Sequence, residues 1–339
     1  MAIDFHRNSK RAARGMKTGS WLPGVAAATA GLVASAVYVR EQTSRAEREY
    51  PPTGKFVTVQ GVRLHFVDTG GADPVLVLLH GNGAMIADME ISGLVNEAAK
   101  RYRVIVFDRP GYGYSERPGD RAWGPQAQAD LFRQVFAKLG LVRPVVFGHS
   151  WGTQVAMSLA LDHPESVGGL VLASGYYFPT ARADTITALP EITPVLGDLL
   201  RHTISPLIGR LTAPGMFRKM FAPQHLPPRF SAEFPVGITL RPSQIRASSE
   251  ERAMMVPAAA ELEKRYPDLR GPICIMAGGS DRIVDTDAQS VRLNSVIAQS
   301  ELRVLPGLGH MMHHFAADQV VRAIDEVAAR ADSLVLAAG

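Results

Sequence analysis

The chain has 339 residues, 46% hydrophobic and 20% charged, enough apolar material for one large α/β domain with an insertion or for two smaller domains. Its net charge of +4 is an end effect: Arg7, Lys10, Arg11, Arg14 and Lys17 stand against Asp4, and charges balance over the remainder, which argues against a nucleic-acid-binding face. The single cysteine, Cys274, excludes an intramolecular disulfide and a thiolate metal cluster, and its apolar neighbours in 272–277 predict a buried core thiol.

Residues 1–20 form the basic tail, and the window 18–39 carries no charge. At a helical rise of ~1.5 Å per residue that window reaches about 33 Å, enough to cross a bilayer core. Residues 21–39 are therefore read as a transmembrane anchor, alanine-rich and containing Pro23, Gly24 and Gly31. The preceding basic residues place the N-terminus in the cytoplasm and the rest of the chain across the membrane, periplasmic or extracellular. One alternative is a signal peptide, because Ala34-Ser35-Ala36 has the A-x-A cleavage form and would yield a secreted protein. Another is a buried core helix. Residues 40–54, polar and containing Pro51-Pro52, predict a linker.

Two short β runs, 56–59 and 62–67, flank Gln60-Gly61 and predict a hairpin. The continuous apolar run 75–79 reads as a strand covered on both faces and ends in His80-Gly81-Asn82-Gly83. A helix over 85–100 and a strand over 104–107 follow, then the turn Asp108-Arg109-Pro110-Gly111-Tyr112-Gly113-Tyr114-Ser115. A helix over 125–139 leads to the apolar run 144–147, and another strand is expected at 169–173. The rhythm then breaks. Residues 175–270 hold twelve of the 23 prolines and no β run, but amphipathic pieces at 189–204, 206–221 and 241–262 predict a helical cap. Alternation resumes with a strand at 273–277, a helix near 286–298, a strand at 302–305 and a last helix at 316–331. Strands alternating with helices imply a mostly parallel sheet with helices on both faces, here built from 55–174 and 271–331.

The chemistry centres on Gly148-His149-Ser150-Trp151-Gly152, between the run 144–147 and a helical run 153–163. Strand, tight turn and helix with a serine at the apex describe a nucleophile elbow, where only very small residues fit the close approaches at ±2. A serine hydroxyl needs a general base, itself oriented by a carboxylate. The base candidate is His310, in the loop after the last strand, with His313 and His314 as rivals. The acid candidate is Asp281, following strand 273–277, with Asp285 and Asp287 as alternatives closer to the next helix. Two backbone donors are required for the oxyanion. The N–H of Trp151 follows the nucleophile, and the second is assigned to Asn82. Asp108, Arg109 and Ser115 read as turn and network residues.

Together these segments resemble the α/β-hydrolase superfamily over residues 55–330. His80-Gly81, the 108–115 turn, the elbow, Gly278-Gly279-Ser280-Asp281 and Gly309-His310 match its motifs in order, and Ser150, Asp281, His310 follow its order of nucleophile, acid and base. The resemblance implies a helical cap over the sheet's carboxyl edge. Haloalkane dehalogenases and epoxide hydrolases of the family carry aspartate where this chain has Ser150. Prolyl aminopeptidases and meta-cleavage hydrolases favour Gly-Pro-Gly at the oxyanion loop, and this chain has Asn82-Gly83-Ala84 there.

Tyr176, Tyr177, Phe178, Phe217 and Phe221 are the candidate substrate-binding residues, within an aromatic and Met-rich cap that also holds Met220, Phe230 and Phe234. Few charges interrupt these stretches, so the expected small-molecule substrate is an apolar ester. The expected activity is hydrolysis of carboxylic esters of apolar acids, such as monoacylglycerols, through an acyl-enzyme, without cofactor or metal. Cofactor-free perhydrolysis or haloperoxidation and acyl transfer would use the same triad. A non-catalytic, membrane-tethered binding protein is the alternative from another class.

Overall fold

In the computed structural model, residues 22–338 are described; the basic tail 1–20 and Trp21 lie outside them. Eight strands make one sheet: β1 (Lys55–Val59), β2 (Val62–Asp68), β3 (Val75–Leu79), β4 (Arg103–Phe107), β5 (Val145–His149), β6 (Gly169–Ala173), β7 (Ile273–Gly278) and β8 (Ser300–Leu305). Their spatial order is β1-β2-β4-β3-β5-β6-β7-β8. Strand β2 runs antiparallel to β1 and β4, and the remaining pairs are parallel. The β1–β2 turn places Gln60 and Gly61 at φ 50° and 74°, the two positive angles that match a two-residue hairpin to strand twist.

The central strands are apolar on both faces because both are covered. Val75, Val77 and Leu79 face one core, with Phe107, Phe132, Phe136 and Val155. Leu76 and Leu78 face the other, with Phe147, Leu94, Val320 and Ile324. The first core is closed by α4 (Pro125–Leu139) and α5 (Trp151–Asp162), the second by α3 (Leu94–Ala98) and α13 (Ala317–Ala338). The chain passes from β3 outward to β4 and returns past β3 to β5. This reversal falls at the carboxyl ends of β3 and β5, the usual place for a ligand in such sheets.

Several expected helices are subdivided. The 85–100 segment forms α2 (Ile86–Ile91) and α3, separated where Gly93 takes φ 82° and the Ser92 hydroxyl accepts the Leu94 N–H. Between β6 and β7 lie α6 (Ala183–Ile192), α7 (Leu196–Thr203), α8 (Ser205–Phe221), α9 (Pro228–Glu233), α10 (Val236–Thr239) and α11 (Pro242–Leu262). The expected 189–204 helix is two pieces because Pro194 and the left-handed Val195 (φ 65°) interrupt it. The 286–298 segment shortens to a wide turn at Asp287–Val291 and α12 (Arg292–Val296).

The N-terminal segment brings the largest difference. Helix α1 (Leu22–Glu49) runs without a break through residues expected as linker, and Pro51-Pro52 ends it. Its first half is uncovered, and it is long and apolar enough to cross a membrane. Its second half docks on the helical insertion. Ser35 Oγ donates to the Thr203 carbonyl at 2.6 Å, Val39 and Ala46 are buried, and Glu47 pairs with Arg241 at 3.0 Å. These contacts, with Val39 and Ala46 two turns apart on one face, hold this polar stretch in helical form.

Candidate active site

Strand β5 ends at His149, α5 begins at Trp151, and Ser150 between them has φ 52° and ψ −117°. An L-residue holds such a conformation only where its surroundings over-determine it. Here the Ser150 N–H donates to Ala173 O at 2.9 Å, and its carbonyl accepts from the Thr153 N–H and hydroxyl at 3.0 and 2.6 Å. The flanking glycines are required by close approach: a Cβ on Gly148 would lie 2.6 Å from Gly152 O, and one on Gly152 would overlap Leu79 O. The turn leaves the Ser150 side chain half-exposed, with no hydrogen bond to its hydroxyl among the described residues.

Asp281 and His310 are brought together from the loops after β7 and β8. His310 Nδ1 donates to Asp281 Oδ2 at 2.8 Å, which leaves Nε2 as the free acceptor. The other carboxylate oxygen accepts the N–H groups of Ile283 and Val284 at 2.7 and 3.0 Å. Burial pushes the Asp281 carboxyl up, but the His310 ring and these two N–H donors outweigh it and hold it below the ordinary value. The His310 loop is fixed by Gln224, whose amide donates to Gly307 O at 2.6 Å and whose oxygen accepts the Gly309 N–H at 3.0 Å. The rival residues are otherwise engaged. His313 and His314 bond to Asp88 at 3.2 and 2.9 Å, and Asp285 accepts the Ala288 N–H at 2.7 Å as a helix-start residue. Asp287 opens the turn that follows.

The loop after β3 lies against the elbow, since a Cβ on Gly81 would sit 3.0 Å from Ser150 Cβ. As the first residue of α5, Trp151 has no intrahelical acceptor for its N–H. The Asn82 side chain ties this loop to α11: its amide donates to Tyr112 Oη and Ser248 O, both at 3.0 Å, and to Glu251 at 3.2 Å. Beneath it lies a fully buried ion pair, Arg109–Glu251. The Arg109 guanidinium also donates to His80 O at 2.8 Å and Gly81 O at 3.1 Å, and Glu251 accepts from Tyr112 at 2.6 Å and Gln128 at 3.0 Å. His80 accepts the Arg109 N–H at Nε2 and donates from Nδ1 to Gly81 O, so its ring is neutral. Burial and the adjacent Arg109 charge lower its pKa to about 4. Asp108 anchors the next turn by accepting from His65 (2.7 Å), Ile86 N–H (2.9 Å) and Tyr114 N–H (3.0 Å).

The five aromatic residues do not converge. Tyr176, Tyr177 and Phe178 belong to the core beneath the insertion, where Gln289 accepts the N–H groups of Tyr177 and Phe178. Phe217 and Phe221 belong to a separate cluster with Phe230, Phe234, Met85 and Met311. Met85 lies just beyond the 80–83 loop and Met311 next to His310, so this second cluster borders the candidate site. A cleft of about 470 Å³ lies elsewhere, lined by the 111–118 turn, Arg241 and Arg246.

No local pattern marks Asp88, His149, Gln224 or Glu251, whose partners are remote in the chain. The His149 ring lies between those of His310 and His313, tilted to both, at centroid distances of 5.0 and 4.5 Å. Asp88, His149 and His313, all buried, each offer a ligand atom within 4.8 Å of the others and are the residues that could hold a cation. Asp88 accepts from two imidazole donors and His149 Nε2 donates to His310 O at 3.1 Å, while Nδ1 of His149 and Nδ1 of His313 are buried without a hydrogen-bond partner among the described residues.

A family model for the alpha/beta hydrolase fold matches residues 74–317. A 2-hydroxymuconate semialdehyde hydrolase of Pseudomonas sp. (strain CF600) is 27% identical over 301 residues, covering 86% of this chain and 99% of its own length. Haloalkane dehalogenase 2 of Mycobacterium tuberculosis (strain ATCC 25618 / H37Rv) is 25% identical over 286 residues, covering 82% and 95%. Among solved structures, a bacterial membrane phospholipase A superposes with a TM-score of 0.62 at 21% identity, over 90% of this chain and 97% of the other. An esterase from Thermogutta terrifontis superposes with a TM-score of 0.64 at 21% identity, over 82% and 99%. These structural likenesses establish the fold.

Proposed function

The chain belongs to the alpha/beta-hydrolase fold family, and within that family of hydrolytic enzymes we propose that it is a membrane-anchored serine hydrolase acting on carboxylic esters of apolar acids. The observation that carries this reading is the 2.8 Å Asp281–His310 pair, placed on the same sheet edge as a serine held at φ 52°. In the proposed reaction Ser150 Oγ attacks the ester carbonyl carbon while His310 Nε2 takes its proton. The resulting oxyanion accepts from the N–H groups of Asn82 and Trp151, and Asp281 stabilises the imidazolium. Collapse breaks the bond to the alcohol, which leaves with the proton from His310. Water then attacks the acyl-enzyme, gives a proton to His310, and releases the acid as Ser150 recovers its hydrogen.

The apolar cluster of Phe217, Phe221, Met85 and Met311 supports an apolar acyl group, because it adjoins both the oxyanion loop and the base. Residues 175–270 serve as the cap in this reading. The uncharged first half of α1 supports membrane attachment, with the basic tail cytoplasmic and the catalytic part exported. A serine at the elbow argues against dehalogenase chemistry, which in this family uses aspartate there. The test is turnover of a p-nitrophenyl ester series by the full chain together with fluorophosphonate labelling. Both are expected, and Ser150→Ala should lose both. A folded wild-type protein that neither labels nor turns over any ester would sink the reading.

A further inference from the structure

Twelve of the eighteen large hydrophobic side chains exposed among the described residues lie on α1 or within 189–216, so they form a face rather than scattered surface. Six carry the argument: Val195 (81% exposed), Leu196, Leu199, Ile204, Ile208 and Leu211 (82% exposed), all on or beside α7 and α8. The sequence of α8 contains no acidic residue, while Arg210, Arg218 and Lys219 are exposed along it. An exposed helix that combines apolar and basic side chains without acids suits a lipid interface, where the apolar groups enter the acyl boundary and the cations meet phosphate.

The docking of α1 fixes the depth of this face. Ser35 bonds to the end of α7, and Tyr38, Val39, Gln42 and Thr43 border Pro206, Leu207 and Arg210 of α8. The start of α8 is therefore level with residues 35–43, where the uncharged run of α1 stops at Arg40. If α1 crosses the bilayer, that is where it emerges, and α8 lies at the surface beside it. We infer that α7 and α8 form a second, monotopic membrane contact, seated in the phospholipid leaflet that the catalytic domain faces, with Ile208 and Leu211 in the acyl region. This rests on the reading of α1 as the anchor. The C-terminal end of α8 leads within three residues to Gln224, which holds the His310 loop. The same helix thus joins the lipid-facing surface to the proposed base.

The test uses the full chain in nanodiscs of phosphatidylcholine and phosphatidylglycerol, with an environment-sensitive fluorophore on one introduced cysteine at a time: V33C, L211C or V142C. The native Cys274 is buried and its thiol is pushed up to about 11, so it does not compete for label. Val142 precedes β5, at the opposite edge of the sheet from the elbow, and is 76% exposed. Quenching by phospholipids brominated on the acyl chain is expected to be several-fold stronger for V33C and L211C than for V142C. Quenching of V33C alone would overturn the second contact and leave the anchor standing. Quenching of neither would overturn both. An L211C probe shielded from lipid and from aqueous iodide, with energy transfer between labelled copies, would assign the face to a second chain and also overturn the inference.

Discussion

The two oxygens of Asp281 do different work, and that asymmetry makes a sharp test of its role. One oxygen accepts the Ile283 and Val284 N–H groups, and the other accepts from His310. In Asp281→Asn the two backbone donors would keep the amide oxygen on their side and turn the NH2 towards His310 Nδ1. The imidazole would then carry its proton on Nε2, where it cannot accept the serine proton. We expect kcat to fall about 10⁴-fold, the size seen when a triad base is held in the wrong tautomer, with little change in the denaturation midpoint. Steady-state kinetics on a p-nitrophenyl ester with parallel urea melts would check both parts. A tenfold loss or less would remove Asp281 from the triad. The three proposed catalytic residues could be picked out of the sequence because each sits in a short turn at a strand end, where glycine spacing and strand hydrophobicity are local signals. Asp281 could be separated from Asp285 and Asp287 by its position directly after the strand.

Elements depend on partners that the local sequence does not reveal. In Glu250-Glu251-Arg252 of α11 nothing marks the middle residue, yet Glu251 is fully buried against Arg109, 142 positions away. Burial pushes the Glu251 carboxyl up, and Arg109, Arg117 and Tyr112 bring it below its ordinary value. Glu251→Gln would keep the shape but leave the buried guanidinium without a counter-charge. The expected cost is about 3–5 kcal/mol of stability, read as a lower urea midpoint. Esterase activity should fall as well, because Arg109 holds the His80 and Gly81 carbonyls of the proposed oxyanion loop. An unchanged midpoint would mean that α11 is not stitched to the sheet through this pair. The same distinction explains which elements were legible. Strands β3 to β7 read directly from continuous apolar runs. The break at Gly93, the left-handed Val195 and the docked half of α1 did not, since each is fixed by tertiary contacts that override a helical or linker-like composition.

On the scale of the whole molecule, three fully buried imidazoles among the described residues share a direction. Burial lowers His80, further depressed by Arg109, to about 4. It lowers His149, where the His313 and His310 rings act in the same sense and Asp88 opposes them. It also lowers His313, despite the nearby Asp88 carboxylate. A histidine in the unfolded chain titrates near 6.5, so as pH falls below that value the unfolded state binds protons that the fold refuses. The stability these rings contribute is complete above about pH 6.5 and is lost as pH falls towards the folded values. For His80 the interval from 6.5 to about 4 corresponds to about 3 kcal/mol. The buried carboxylates Asp88, Asp281 and Glu251 are held below their ordinary values and so add their loss only at lower pH. The urea midpoint of the full chain in detergent should therefore drop between pH 6.5 and 4.5, before carboxylates titrate. His80→Gln, which cannot take up a proton, should flatten that slope even if it lowers the midpoint at pH 7. A midpoint constant across this range in the wild-type chain would contradict three neutral imidazoles in the core. It would mean that the ring cluster behind the proposed active site accepts protons as readily as the unfolded chain does.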